Sequence, residues 1–149
     1  MDSLNEELTA MTGLLDLIKQ EQTQLVDANI EGLQSFTQEK AKAIAKICQL
    51  ASNRHAFLAA AGLPGIDASM PIWLDSTANS TLRKTWVQLL SVAETAKELN
   101  RLNGVLINKF MTRNQDALHI LQGNTKGNNF YGRNGQTTTA QPTRRLIIG

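Results

Sequence analysis

Apolar residues in the first part of the chain recur at spacings of four and three: Leu4, Leu8, Met11, Leu15, Ile18 and Leu25, with polar Gln22 filling the one gap. That period puts them on one face of an α-helix as a heptad seam, and Leu14 and Leu17 widen the seam to the stripe of a bundle helix. Asp2 or Ser3 can cap the free amides at its start, so the pattern predicts a helix over about residues 3–27, with Gly13 a tolerated weak point. A second pattern over about residues 29–61 carries Ile30, Leu33, Phe36, Ile44, Ile47, Leu50, Phe57 and Leu58 and stops at Gly62-Leu63-Pro64-Gly65. Lys40 and Arg54 fall on or beside this stripe, where their stems are expected to cover apolar surface while the charges reach water.

Residues 62–78 hold all but one of the prolines together with Ile66, Met70, Ile72, Trp73 and Leu74. They read as a connecting loop that tucks a hydrophobic plug against the helices, with Trp73 as a core anchor. The third pattern is the longest. Leu82, Trp86, Leu89, Ala93, Ala96, Asn100, Asn103, Ile107, Phe110, Asn114, Ala117 and Leu121 keep the four-three alternation with no proline between them. A helix over about residues 79–122, at a rise of about 1.5 Å per residue, would exceed the diameter of a compact domain of this size. The expected fold class is therefore all-α: an elongated three-helix antiparallel, coiled-coil-like bundle with a long C-terminal helix, forming a domain over residues 1–122. From Gly123 the period disappears and Gly, Asn, Thr and Gln dominate. Residues 123–149 are expected to form a flexible tail, with Phe130-Tyr131 and Leu146-Ile147-Ile148 as its apolar islands.

Composition narrows the function. Aromatics make up only 5% of the chain, which suits a slender helical assembly better than a sheet core. The formal charge of +2 arises from interspersed signs, so the body lacks the basic field and interleaved aromatics of a nucleic-acid binder. The tail alone is basic, through Lys126, Arg133, Arg144 and Arg145. No run of about 18 apolar residues occurs, and the acidic N-terminus is unlike a secretory signal, so a cytoplasmic protein without direct membrane insertion is expected. Cys48, beside Ile47 and Leu50, reads as a buried or half-buried packing thiol.

Candidate chemistry is sparse. His55 and His119 lie on different predicted helices without companions at metal-ligand spacing, and no phosphate-binding or nucleophile motif is present. No enzyme, metal or cofactor is expected. What stands out is asparagine in the third seam. Asn100, Asn103 and Asn114 occupy positions where a dry interface would be apolar, and an unsatisfied buried amide costs about 1 to 3 kcal/mol. Either they set register inside a closed bundle, or they belong to a half-open groove lined by Leu106, Ile107, Phe110 and Met111 that a partner helix completes, with Gly104 permitting close backbone approach.

Three stretches carry a family resemblance. Leu99-Asn100-Arg101-Leu102-Asn103-Gly104-Val105-Leu106-Ile107, followed by Arg113-Asn114-Gln115-Asp116-Ala117-Leu118 and by Phe130-Tyr131-Gly132-Arg133-Asn134-Gly135-Gln136-Thr137, resembles the FlgN-type flagellar export chaperones in residue type, order and spacing. Thr37-Gln38-Glu39-Lys40 is a weaker echo of the Glu-Lys pair in that family's second helix, and residues 62–77 match nothing in it. The resemblance implies a cytoplasmic chaperone of type III flagellar export. Such a protein binds the C-terminal helical regions of the hook-filament junction proteins, prevents their premature association and delivers them to the membrane export gate. It also implies that Tyr131, with Phe130, Gly132, Gly135 and Gln136 around it, docks to the cytoplasmic domain of the gate. The competing reading is a structural coiled-coil protein that forms a homodimer through its third helix.

Overall fold

The structure, a computed structural model, describes residues 2–134, with side chains over residues 2–123. The described residues are helical apart from short connections: α1 (Asp2–Val26), α2 (Leu33–Ala60), a single 3-10 turn (Asp67–Ser69), α3 (Met70–Thr77) and α4 (Ser80–Asn134). The chain divides into two compact units, Met1–Leu106 and Ile107–Gly149, and α4 has residues in both.

Helix ends follow local chemistry. After α1, Ala28 N–H donates to Leu25 O and Asn29 N–H to Gln24 O, a paired closure that requires a left-handed residue; here it is Ala28, at φ 57°. After α2 the same closure is made by Gly62 N–H to Ala59 O and Leu63 N–H to Leu58 O, with glycine at φ 83° and Leu63 folded onto the core beside Leu58. Asn79 Oδ1 accepts from Leu82 N–H at 3.0 Å and caps the start of α4.

The first unit departs from the sequence reading in several places. The segment 62–78 is not a plain loop, because Met70–Thr77 forms a helix with Pro71 in its first turn, where the missing N–H costs nothing. Its Met70 and Leu74 join Leu4, Leu58, Leu82, Trp86 and Leu89 in a core cluster, with Trp73 packed against it and edge-on to Phe57 at 5.2 Å. Cys48 is exposed, not buried, because α2 turns Ile47 and Leu50 inward and leaves the residue after Ile47 outside. In the second unit α4 continues to Asn134, past the end near residue 122 that the loss of period suggested. Gly123, Gly127 and Gly132 weaken a helix without forbidding it, as a proline would.

The seam of the first unit carries charge. On α1 the inward series is Leu4, Glu7, Met11, Leu14, Ile18, Glu21 and Leu25, a strict alternation of three and four in which Glu21 takes the place expected of Gln22. Glu7 is 3% and Glu21 1% exposed. Each carboxylate faces a base on α2. Arg54 donates from Nε and Nη2 to Glu7, and Lys40 donates to Glu21 at 2.9 Å. Arg54 is 8% exposed, so it is a buried ion-pair partner and does not reach water as expected; Lys40 is 17% exposed in its side chain. The guanidinium lies 4.8 Å above the Trp86 ring of α4 and also donates to Asp67 at 2.7 Å, which ties the segment before α3 to the bundle.

The spacing of these layers sets the register. Glu7 and Glu21 are fourteen residues apart, as are Arg54 and Lys40 on α2 and Trp86 and Asn100 on α4, so both layers recur after two heptads on all three helices. The pairings make α2 antiparallel to α1 and to α4. A slide of α2 by one heptad would set the carboxylates against Ile47 and either Leu33 or Ala61, leaving four buried or half-buried charges unpaired.

Candidate partner-binding surface

The asparagines singled out in the sequence have different fates. Asn103 is fully buried, and its Nδ2 donates to Ile18 O at 2.9 Å and to Glu21 Oε1 at 2.8 Å. Both neighbours are acceptors, so the amide must present its NH2 to them, and Oδ1 has no partner among the described residues. Asn100 is exposed as a residue but accepts from Lys40 Nζ at 2.9 Å. Together Glu21, Lys40, Asn100 and Asn103 form one polar layer in which the Glu21 carboxylate accepts hydrogen bonds from an ammonium and an amide. The stretch Leu99–Ile107 that carries the family resemblance therefore supplies the α4 side of a register-setting layer.

Gly104 and Leu106 follow in the first unit, both half-buried. A Cβ on Gly104 would meet no atom within 4 Å, so no close helix approach at this glycine occurs among the described residues.

The other four members of the predicted groove belong to the second unit, on α4. Ile107 and Phe110 are half-buried, while Met111 and Asn114 are exposed. From Met111 to Gly123 every described side chain is exposed, including Met111 at 55%, Leu118 at 55% and Ile120 at 64%. Ile107, Met111, Asn114 and Leu118 recur at four, three and four, so they share one helical face. An apolar helical face in water can offer van der Waals contact and desolvation to a helix of matching period.

Of the residues assigned to gate docking, Phe130, Tyr131 and Gly132 lie in the α4 backbone, with side chains outside the described set. Gly135 and Gln136 lie outside the described residues. No cluster of three or more metal-ligating side chains occurs among the described residues, and no described helix is long and apolar enough to cross a membrane.

Pattern reading missed Glu7 and Glu21. The available signal was charge complementarity at a matched interval: two acids two heptads apart on one predicted helix and two bases two heptads apart on the next. His55 sits with Nε2 2.7 Å from Asp67 Oδ1. Burial pushes the Asp67 carboxyl up, but the hydrogen bonds from His55 and Arg54 and their charges outweigh it and hold the group below its ordinary value.

The family described as FlgN protein matches residues 1–139. Flagella synthesis protein FlgN of Salmonella typhimurium is 29% identical over 146 residues, covering 94% of each chain. The protein of the same name from Yersinia enterocolitica is 26% identical over 148 residues, covering 97% of this chain and 93% of the relative. That from Proteus mirabilis is 42% identical over 55 residues, 37% of each chain. No solved structure matches the chain. The match over residues 1–139 shows that the chain belongs to the FlgN family.

Proposed function

We propose that this flagella synthesis protein is a cytoplasmic, non-enzymatic chaperone of type III flagellar export. It binds the C-terminal helical regions of hook-filament junction proteins, keeps them from associating early and hands them to the export gate. The observation that carries the reading is the apolar face of α4 in the second unit, where exposed Met111 and Leu118 and half-buried Ile107 and Phe110 offer an amphipathic client helix a surface at matching period. Asn114 on the same face gives the client a hydrogen-bonding position within that stripe. Asn100 and Asn103 act at one remove, by setting the register of the bundle. Tyr131 serves the second partner, the cytoplasmic domain of the gate, as an aromatic anchor near the end of α4. Neither nucleotide nor metal enters the cycle, since binding energy comes from burial of the client's apolar face at about 25 cal/mol per Å², less the cost of ordering it.

Light scattering tests the chaperone role. A junction protein that self-associates on its own should stay dispersed when an equimolar amount of this protein is present, and should associate again when the chain carries Ile107→Ser and Phe110→Ser together. Unchanged association in the presence of the unmodified protein would overturn the reading.

A further inference from the structure

Midway between the two charged layers, seven residues from each, the seam level consists of Leu14 on α1, Ile47 on α2 and Ala93 on α4, and the next inward position of α4 is Ala96. A leucine-sized residue at Ala93 would close the bundle here. The alanines instead leave a recess of about 260 Å³, floored by Leu14 and Ile18 and walled by Ile44 and Ile47 of α2 and by Ala93 and Ala96 of α4. That is larger than an engineered core cavity of about 150 Å³ that admits benzene. The recess is open to solvent: its floor is buried, but Ile44 on the rim is 47% exposed and Ala93 is half-buried.

Its charge is one-sided. Lys97 is the only charged residue lining it, no carboxylate does so, and Asn100 closes one end. The neighbouring Lys40 is held by Glu21 and Asn100, whereas Lys97 is exposed and makes no ion pair among the described residues. Flanking helices α2 and α4 run antiparallel with their seams in heptad register, which gives the recess the holes into which a further helix can place knobs.

We propose that this recess is a docking groove for an amphipathic helix that presents aliphatic or aromatic side chains with a carboxylate beside them, the carboxylate meeting Lys97. It is a second contact for the helical client of the chaperone reading, on which this inference rests. The groove is separate from the exposed face of α4 in the second unit. The two charged layers keep the bundle in register while the apolar level between them is left for a partner to fill.

The test titrates a C-terminal helical segment of a hook-filament junction protein into the full-length chain and two variants. Ala93→Phe fills the recess from within; it should keep or raise the melting temperature and weaken binding by about tenfold or more. Lys97→Glu lies on the surface and leaves folding intact; it should weaken binding several-fold, with the loss shrinking as salt is added. Affinities equal to the unmodified chain for Lys97→Glu, or for a folded Ala93→Phe, overturn the groove while leaving the chaperone reading in place. An unmodified chain that does not bind the segment overturns both. Sedimentation of the free protein as a dimer that Ala93→Phe converts to monomer would show that a second copy fills the recess, and would equally overturn the proposal.

Discussion

Arg54 donates through Nε and Nη2 to the two carboxylate oxygens of Glu7, at 2.9 and 3.0 Å, with only 8% and 4% of the two side chains exposed. Two parallel bonds in fork geometry are the strongest form of such a pair, yet desolvating both ions offsets much of the gain. The pair is thus better understood as a specification of which residues face each other than as a source of net stability.

Removal of one partner and of both should therefore differ in the size of the loss. Arg54→Met alone leaves a buried carboxylate and should cost about 3 to 5 kcal/mol in urea unfolding. Glu7→Leu combined with Arg54→Met should recover most of that loss. Equal stability of the single and double variants would mean that the buried charge is not what the single variant exposes.

Asp67 gives the segment before α3 a dependence on pH. Its folded-state carboxyl is depressed below the ordinary 3.8, because hydrogen bonds from His55 and Arg54 outweigh burial. A depressed carboxylate contributes stability that is present above the unfolded value and lost as pH falls through the folded one, so this contribution should begin to shrink near pH 3.8 and vanish beneath the lower folded value. Melting curves of Asp67→Asn should converge with those of the unmodified protein at the acid end and diverge above it. Parallel curves throughout would contradict the assignment.

Ala28 occupies the left-handed position that closes α1, at φ 57°. Left-handed backbone costs a residue with a Cβ about 1 kcal/mol, so Ala28→Gly should stabilise the fold by up to about 1 kcal/mol despite the extra freedom of glycine in the unfolded chain. A fall in the urea midpoint would be the contrary result.

How much of this could be read from sequence differs between elements. Three long helices were visible because Leu, Ile and Met recur at three and four, and the stop at Gly62 was visible because a glycine opens a Gly-Leu-Pro-Gly run. Glu7 and Glu21 were not visible, because a seam is sought among apolar residues and each glutamate adjoins a residue that also fits the period, Leu8 or Gln22. Arg54 looked like a side chain reaching water because its partner lies 47 positions away in sequence. Helix α3 was hidden by Pro71, which marks a break inside a helix and a beginning in its first turn. The polar character of Asn103 was legible and its two possible uses were not separable, since that depended on Ile18 O and Glu21 lying across from it.

Tyr131, in the described backbone of α4, carries the expectation for the export gate. Tyr131→Ala should leave the melting temperature and client affinity unchanged while lowering affinity for the cytoplasmic gate domain and reducing secretion of junction proteins. Calorimetric titration of the gate domain with both proteins decides this; equal affinities would remove the docking role.

The central claim is that the exposed apolar face of α4 in the second unit receives a client helix. Met111 and Leu118 are each 55% exposed, so replacing both by Ser removes apolar contact surface from that face while leaving the core clusters of the first unit untouched. Isothermal titration of a junction protein's C-terminal helical segment into the unmodified chain and into the Met111→Ser, Leu118→Ser variant measures the claim directly. The account predicts one-to-one binding by the unmodified chain, a loss of about tenfold or more in the variant, and the same circular dichroism and melting temperature for both. Equal affinities for two proteins of equal helicity would contradict it.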